Sequence, residues 1–247
     1  MSVTEVHLRP AVSLDLPYIA EVAAKSMLDD ELFAFLCPRR REFYSDYRQA
    51  FLRRLRTKLR TPGWVIIVAV ANSATDTVDA ESGPIVGYCV WERIGETAEE
   101  STRHWKETQR EGWWTSVQEL LGNVTEYFTN RLYPDRSVDE SRLTRYNALN
   151  TDCFPYDDFP ELWYLSTLAV HPASQRQGIG RRLVEWGLER AKWDGAPVGL
   201  EASAKGTRLY RSLGFKIVNE VPLVEGIDLT AMLWQPSSGG RTPKTEI

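Results

Sequence analysis

The hexapeptide Gln175-Arg176-Gln177-Gly178-Ile179-Gly180 places two glycines and an arginine where an apolar run, residues 162–170, gives way to an amphipathic one, residues 181–193. This pattern predicts a strand, a tight glycine turn and a helix. Glycines let the backbone come close to a ligand, and the first N–H groups of a helix lack internal partners, so they point at whatever lies beyond. An anion, most often a phosphate, suits such a junction. A tight turn with a surface arginine is the alternative that these six residues leave open. Two other phosphate motifs are excluded. Leu183 stands where a dinucleotide-binding G-x-G-x-x-G needs its third glycine, and no Gly-Lys-Ser/Thr comes after it as in a Walker loop.

The elements that must hold this loop can be read along the chain. A first strand is expected over residues 6–11. Asp15-Leu16-Pro17 opens a helix, residues 16–28, with Asp15 able to cap free N–H groups and Ile19, Val22, Ala23 and Met27 on its buried face. Residues 39–60 form a strongly basic amphipathic helix whose arginines read as a solvated face. Pro62-Gly63 ends it, and the apolar runs 64–70 and 85–93 predict two strands paired antiparallel across a polar connection. Residues 94–160 are a long excursion with helical stretches at 97–110, 115–130 and 138–150; Trp105, Trp113 and Trp114 make it read as a lid, or as a helical insertion packing its aromatics on the body. A strand over 161–170 precedes the glycine loop. A short strand, residues 198–201, comes after its helix, and Ser203 then caps a helix running through Tyr210 to Leu213, where Gly214 stops it. Closing strands are expected at 215–221 and 230–234, and a disordered tail at 236–247. Strand, loop, helix and strand make one β-α-β unit preceded by antiparallel strands, so the fold class is α/β or α+β with a mixed sheet, in a single domain over residues 1–235.

Composition narrows the partners. Thirty Lys and Arg against thirty-four Asp and Glu give a net charge of -4, so no global basic field invites nucleic acid or an anionic membrane surface. The three cysteines, Cys37, Cys89 and Cys153, are scattered and odd in number, which argues against a disulfide framework or a cysteine zinc site. No metal is expected. The first ten residues lack the apolar core of a signal peptide, and no apolar run reaches the roughly 18 residues that a membrane helix requires. A cytoplasmic location is the resulting expectation.

Three motifs in order on the expected elements carry a resemblance: Leu168-Ala169-Val170-His171-Pro172, the glycine loop, and Leu209-Tyr210-Arg211-Ser212-Leu213-Gly214-Phe215. Together they resemble the GNAT N-acetyltransferase superfamily, whose acyl-CoA loop has the form Q/R-x-x-G-x-G/A and whose later helix often ends Y-x-x-x-G-F. The match is strong from Tyr164 to Val218 and loose in the N-terminal half. Residues 94–160 depart from it, since the family usually joins those strands by a short turn. The resemblance implies acetyl-CoA as cofactor, with its pyrophosphate on N–H groups from Gln177 to Arg181, helped by Gln175, Arg176, Gly178, Ile179 and Gly180. It also implies that the pantetheine arm lies against a splayed strand at Leu168, Ala169 and Val170. Ser203 stands where the family often has a cofactor-contacting asparagine, and capping its own helix is the alternative.

Transfer from a thioester to an amine needs a neutral amine, a donor for the developing oxyanion and an acid for the departing thiolate. The resemblance gives the acid role to Tyr210 and the oxyanion role to a backbone N–H near Leu168. For the base, counting back from the loop lands on Tyr164 rather than Glu161, and strand alternation puts Glu161 on the face opposite Tyr164, Ser166 and Leu168. Glu201 is the other candidate, with a surface carboxylate or a partner for a nearby arginine as its alternative; His171 reads as a turn residue. Tyr164, Ser166, Trp113 and Trp114 are the expected substrate contacts. The expected function is transfer of an acetyl group to the primary amine of a small molecule, in a ternary complex, by a monomer or homodimer. A protein or peptide N-acetyltransferase and a non-catalytic CoA-binding regulatory module are the alternatives.

Overall fold

The computed structural model describes residues 5–72, 83–96, 98–107, 135–150, 153–224 and 226–236, without the side chains of 104–107 and 150. Seven strands form one sheet: β1 (Val6–Pro10), β2 (Trp64–Ala71), β3 (Ile85–Ile94), β4 (Leu162–Val170), β5 (Val198–Ala202), β6 (Lys216–Val224) and β7 (Ile227–Trp234), in the order β1-β2-β3-β4-β5-β7-β6. All neighbours are antiparallel except β4 and β5, the parallel pair. The mixed sheet expected from the β-α-β unit is therefore present, and β2 pairs with β3 as read from the two apolar runs.

Each face of the sheet is covered by helices whose apolar stripes meet it. On one face, α1 (Leu16–Ser26) and α3 (Tyr44–Arg60), with the short α2 (Glu31–Leu36), bury Ile19, Ala23, Tyr47, Phe51 and Leu55 against Ile66, Val68, Val90 and Ala169. On the other, α6 (Ile179–Asp194) packs Leu183, Val184 and Leu188 on Trp91, Trp163 and Leu165. Between them in the chain, α4 (Ala98–Glu107) and α5 (Glu140–Asn150) lie in the long excursion between β3 and β4, and α7 (Ala204–Ser212) comes after β5. A third apolar cluster, around Phe154, Leu162, Tyr164, Leu223 and Leu229, fills the space beside β5 to β7. The Trp91 ring is fully buried and lies edge-on to Trp163, with centroids 6.3 Å apart, over Gly187; a Cβ there would stand 2.1 Å from the Trp91 ring.

Three local expectations are revised. The Asp15 carboxylate does not cap α1; it accepts two bonds from Arg9, at 2.6 and 2.9 Å, and one from the Val12 N–H. An arginine fork offers a carboxylate stronger bonds than an isolated helix N–H does. The helix after the glycine loop begins at Ile179, two residues earlier than its amphipathic pattern suggests. The basic helix begins at Tyr44 rather than at residue 39, after a run of turns.

Candidate active site

β4 and β5 pair through Trp163, Tyr164 and Leu165 against Val198, Gly199 and Leu200 and then part. β5 continues to Ala202 on β7, and β4 continues to Val170 on β3, so among the described residues no strand pairs with residues 166–170 of β4 along the edge facing β5. The cause lies in the register with β3: Val90 faces Thr167 whereas Trp91 faces Leu165, which leaves Ser166 as an extra residue. Such a bulge bends its strand and reverses the facing of the residues beyond it. Strand alternation expected Tyr164, Ser166 and Leu168 on one face. In the structure Leu168 and Val170 pack with the α6 cluster, Ala169 with the α1 and α3 cluster, and Tyr164 with the third cluster.

The glycine loop closes one end of this gap. Gly178 caps α6 with φ of 82°, and Arg176 stands at φ 61°, the only residue other than glycine with positive φ among those described. Left-handed backbone at an arginine costs energy. Among the described residues, a Cβ on Gly178 would meet nothing within 4 Å, so the N-cap of α6 is open at that point. Gly180 is less demanding, since a Cβ there would lie in ordinary contact with Leu209, Leu168 and Val170 at 3.7 to 3.8 Å. Gln175 donates to the Val170 carbonyl at 3.1 Å and fastens the loop to β4. Ile179 is buried, which leaves its backbone as the part available to a ligand. Arg181 reaches Glu185 at 3.3 Å and Ser212 at 2.8 Å, so its guanidinium joins α6 to α7; Arg176 is exposed.

The loop is tied to α7 through Leu209, and the next residue is Tyr210. Its ring is buried, edge-on to Phe215 with centroids 5.7 Å apart, and burial pushes its hydroxyl well above the usual tyrosine range. The phenol stays protonated at any ordinary pH. Ser203 caps α7 by accepting from the Gly206 N–H at 3.3 Å, and it also lines a cavity beside the parted strands.

Glu201 on β5 is held by phenols. The Tyr164 hydroxyl donates to it at 2.6 Å and the Tyr156 hydroxyl stands 3.5 Å away. Burial raises the Glu201 pKa above that of an ordinary carboxylate, while the two tyrosine bonds pull in the opposite direction. Tyr146 of α5 is pushed up to about 12, by burial first and then by the Glu201 charge. Tyr164 packs on Phe154 and Tyr156 with its hydroxyl committed to Glu201, so it positions that carboxylate. Glu161, by contrast, pairs with the buried Arg93 and accepts from the Glu96 N–H at 3.0 Å, a structural assignment. The His171 ring accepts from the Ala173 N–H at 3.3 Å, as a turn residue does.

The cavity, of about 840 Å³, lies against the parted strands between α2, α3, α5 and the start of α7. Ser166, Leu168 and Ser203 line it together with Tyr146 and Leu143 of the excursion and Lys58 of α3. Lys58 departs from the solvated face expected for its helix. It bends over the Trp64 ring at 4.3 Å and donates to Ser166 Oγ at 2.6 Å. Trp113 and Trp114 lie outside the described residues, as does the side chain of Trp105.

With this geometry in view, residues 144–217 match the family model described as an acetyltransferase (GNAT) domain. An acetyltransferase of the fungus Stachybotrys chartarum is 24% identical over 214 residues, covering 87% of this chain and 82% of its own. An L-methionine sulfoximine/L-methionine sulfone acetyltransferase of Salmonella typhimurium is 30% identical over 131 residues, covering 49% of this chain and 70% of its own. The chain belongs to the GNAT acetyltransferases. Among solved structures, the crystal structure of histone acetyltransferase HPA2 and related acetyltransferase from Corynebacterium glutamicum superposes with a TM-score of 0.56 at 19% identity, over 95% of this chain and 98% of that one, a likeness of fold.

This GNAT chain is an acyl-CoA-dependent acetyltransferase and takes acetyl-CoA as its donor. Its residues fit that group. The open start of α6 offers unpaired N–H groups and the positive end of the helix dipole to a pyrophosphate. The unpaired edge of β4 offers amide groups to a pantetheine arm. Of the residues singled out in the sequence, Ser166, Leu168 and Ser203 line the cavity, whereas Tyr210 is buried in the core beside α6 and Glu201 is held by Tyr164 and Tyr156. Lys58, Tyr146 and Tyr156 were not singled out, because a lysine on a basic helix and two tyrosines in a long excursion have no spacing that marks them.

Proposed function

We propose that this acetyltransferase acts on the primary amine of a small molecule, by direct attack in a ternary complex. Acetyl-CoA supplies an activated acyl carbon. The N–H groups of residues 177–181 hold its pyrophosphate, and the free edge of β4 at residues 168–170 receives the pantetheine arm. Glu201 takes the proton from the attacking amine through water, with Tyr164 and Tyr156 holding the carboxylate in place. A carboxylate with a raised pKa is a better base than an ordinary one. Tyr210 donates its proton to the departing thiolate, which its raised pKa keeps available. The N–H of Leu168 stabilises the oxyanion as the carbonyl is attacked.

The parting of β4 from β5, opening onto a cavity roofed by α5, is the observation that carries this reading. A pocket covered by the excursion suits a compact acceptor, and the Salmonella relative is named for two small amines. CoA release followed with a thiol reagent across amines, amino acids and peptides tests it. Turnover is expected with small amines, falling by about 10²-fold or more in Tyr210→Phe while acetyl-CoA binding is retained. Turnover confined to peptides, or undiminished in Tyr210→Phe, contradicts it.

A further inference from the structure

The acceptor side of the cavity contains a cation that the acetyl transfer does not use. Lys58 and Arg54 stand one turn apart on α3, on the same face of the helix, and both line the cavity. Among the described residues no carboxylate lies within ion-pair distance of either. Burial brings the Lys58 pKa down to about 8, and the attraction of the Glu92 charge only partly offsets it. Near neutral pH Lys58 therefore keeps its proton, as a partly buried cation that no carboxylate among the described residues contacts directly.

Its place in the cavity limits what can meet that charge. The Lys58 ammonium is hydrogen-bonded to Ser166, the bulged residue where β4 leaves β5, two positions before Leu168. If Leu168 lies beside the thioester as proposed, Lys58 borders the place where amine and thioester meet. A second positive charge there opposes a protonated amine and favours the neutral form that attacks. The same charge attracts an anion attached a bond or two from that amine. The carboxylates lining the cavity do not cancel it: Glu31, Glu220 and Asp228 are exposed to solvent, and Asp30 accepts from the Phe33 N–H at 3.1 Å as the cap of α2.

We propose that the acceptor carries a carboxylate next to its amino group, held by Lys58 with Arg54 beside it, so that the substrates are amino acids and not simple amines or polyamines. The assignment rests on the acetyl-transfer reading for the position of the amine, and it is tested without turnover. Isothermal titration at pH 7 in the presence of CoA compares N-acetyl amino acids of several side chains with their C-terminal amides. These probes have the form of the product and differ in the terminal group, a carboxylate or a neutral carboxamide of nearly the same shape.

At least one acid is expected to bind tenfold or more tightly than its amide. Lys58→Met brings that ratio below twofold, and Lys58→Arg, which keeps the charge, preserves most of it. Equal affinity of acid and amide in the wild-type protein, or binding by none of the acids, overturns the proposal, and needs no variant to fold. A preference that survives Lys58→Met, or that disappears equally in Lys58→Arg, also overturns it, the latter by assigning Lys58 to packing. Failure of every amine to release CoA would instead overturn the catalytic reading, so the two failures are separable.

Discussion

Glu201 and Tyr164 form one hydrogen-bonded unit at the scale of the residue. A carboxylate that burial makes reluctant to ionise is steadied by a phenol at 2.6 Å, and the bond favours the charged form. In its proposed role as base, Glu201 acts only when deprotonated, so turnover is expected to fall as pH drops through its raised pKa. Tyr164→Phe removes a bond that lowers that pKa. The acidic limb of the kcat/KM profile is therefore expected to move to higher pH in Tyr164→Phe, with the rate above the limb largely kept. An unmoved limb would assign the titration to another group and remove Glu201 from the base role. Glu201 was readable as a carboxylate at the end of the strand after the loop helix, but its setting was not. Tyr156 comes from a distant turn, and no spacing in the chain announces that its ring meets Tyr164 at 5.4 Å.

Among the elements, the junction of β4 and α6 shows how much of the site is local. Residues 175–180 encode the turn in their own types, since a left-handed cap at Gly178 favours glycine and Gln175 ties back to Val170. The two glycines should respond differently to alanine. Gly178→Ala forces an L-residue to φ of 82°, a cost of about 1–2 kcal/mol, and crowds the approach to the first N–H groups. Gly180→Ala adds a methyl at ordinary contact distance. The Gly178→Ala loop relieves its strain by leaving the conformation of Gly178 and must regain it on binding. Acetyl-CoA affinity is therefore expected to drop by about tenfold in Gly178→Ala, about 1.4 kcal/mol being one decade, and to stay within about twofold in Gly180→Ala. Equal losses would show that the backbone conformation of Gly178 is not what the ligand reads.

The bulge at Ser166 was not legible, and it carried the largest error of facing. An extra residue is defined by its partner strand, so a period of two read along β4 alone continues straight through it. Asp15 shows the same limit in a helix start. It occupies a capping position in the chain, yet Arg9 on β1 claims its carboxylate, a choice made by tertiary contact.

For the whole molecule, the sheet order brings distant segments to one cavity. Because β4 lies between β3 and β5, α3 from the first quarter of the chain, α5 from the excursion and α7 from the last quarter all border the parted strands. The mixed sheet and most of its strands were legible from runs of β-branched and aromatic residues such as 64–70, which are buried on both faces. The assembly of the cavity was not, since it depends on which helix covers which face. The proposed function comes down to one chemical event: the acetyl group passes from acetyl-CoA to the nitrogen of a small amine. Mass spectrometry of reactions with acetyl-CoA carrying an isotopically labelled acetyl group, run over small amines, amino acids and peptides, measures this directly. The expected result is label on the nitrogen of a small amine in one-to-one ratio with free CoA. Label found only on peptides, or CoA released while the label appears as acetate, would contradict the account.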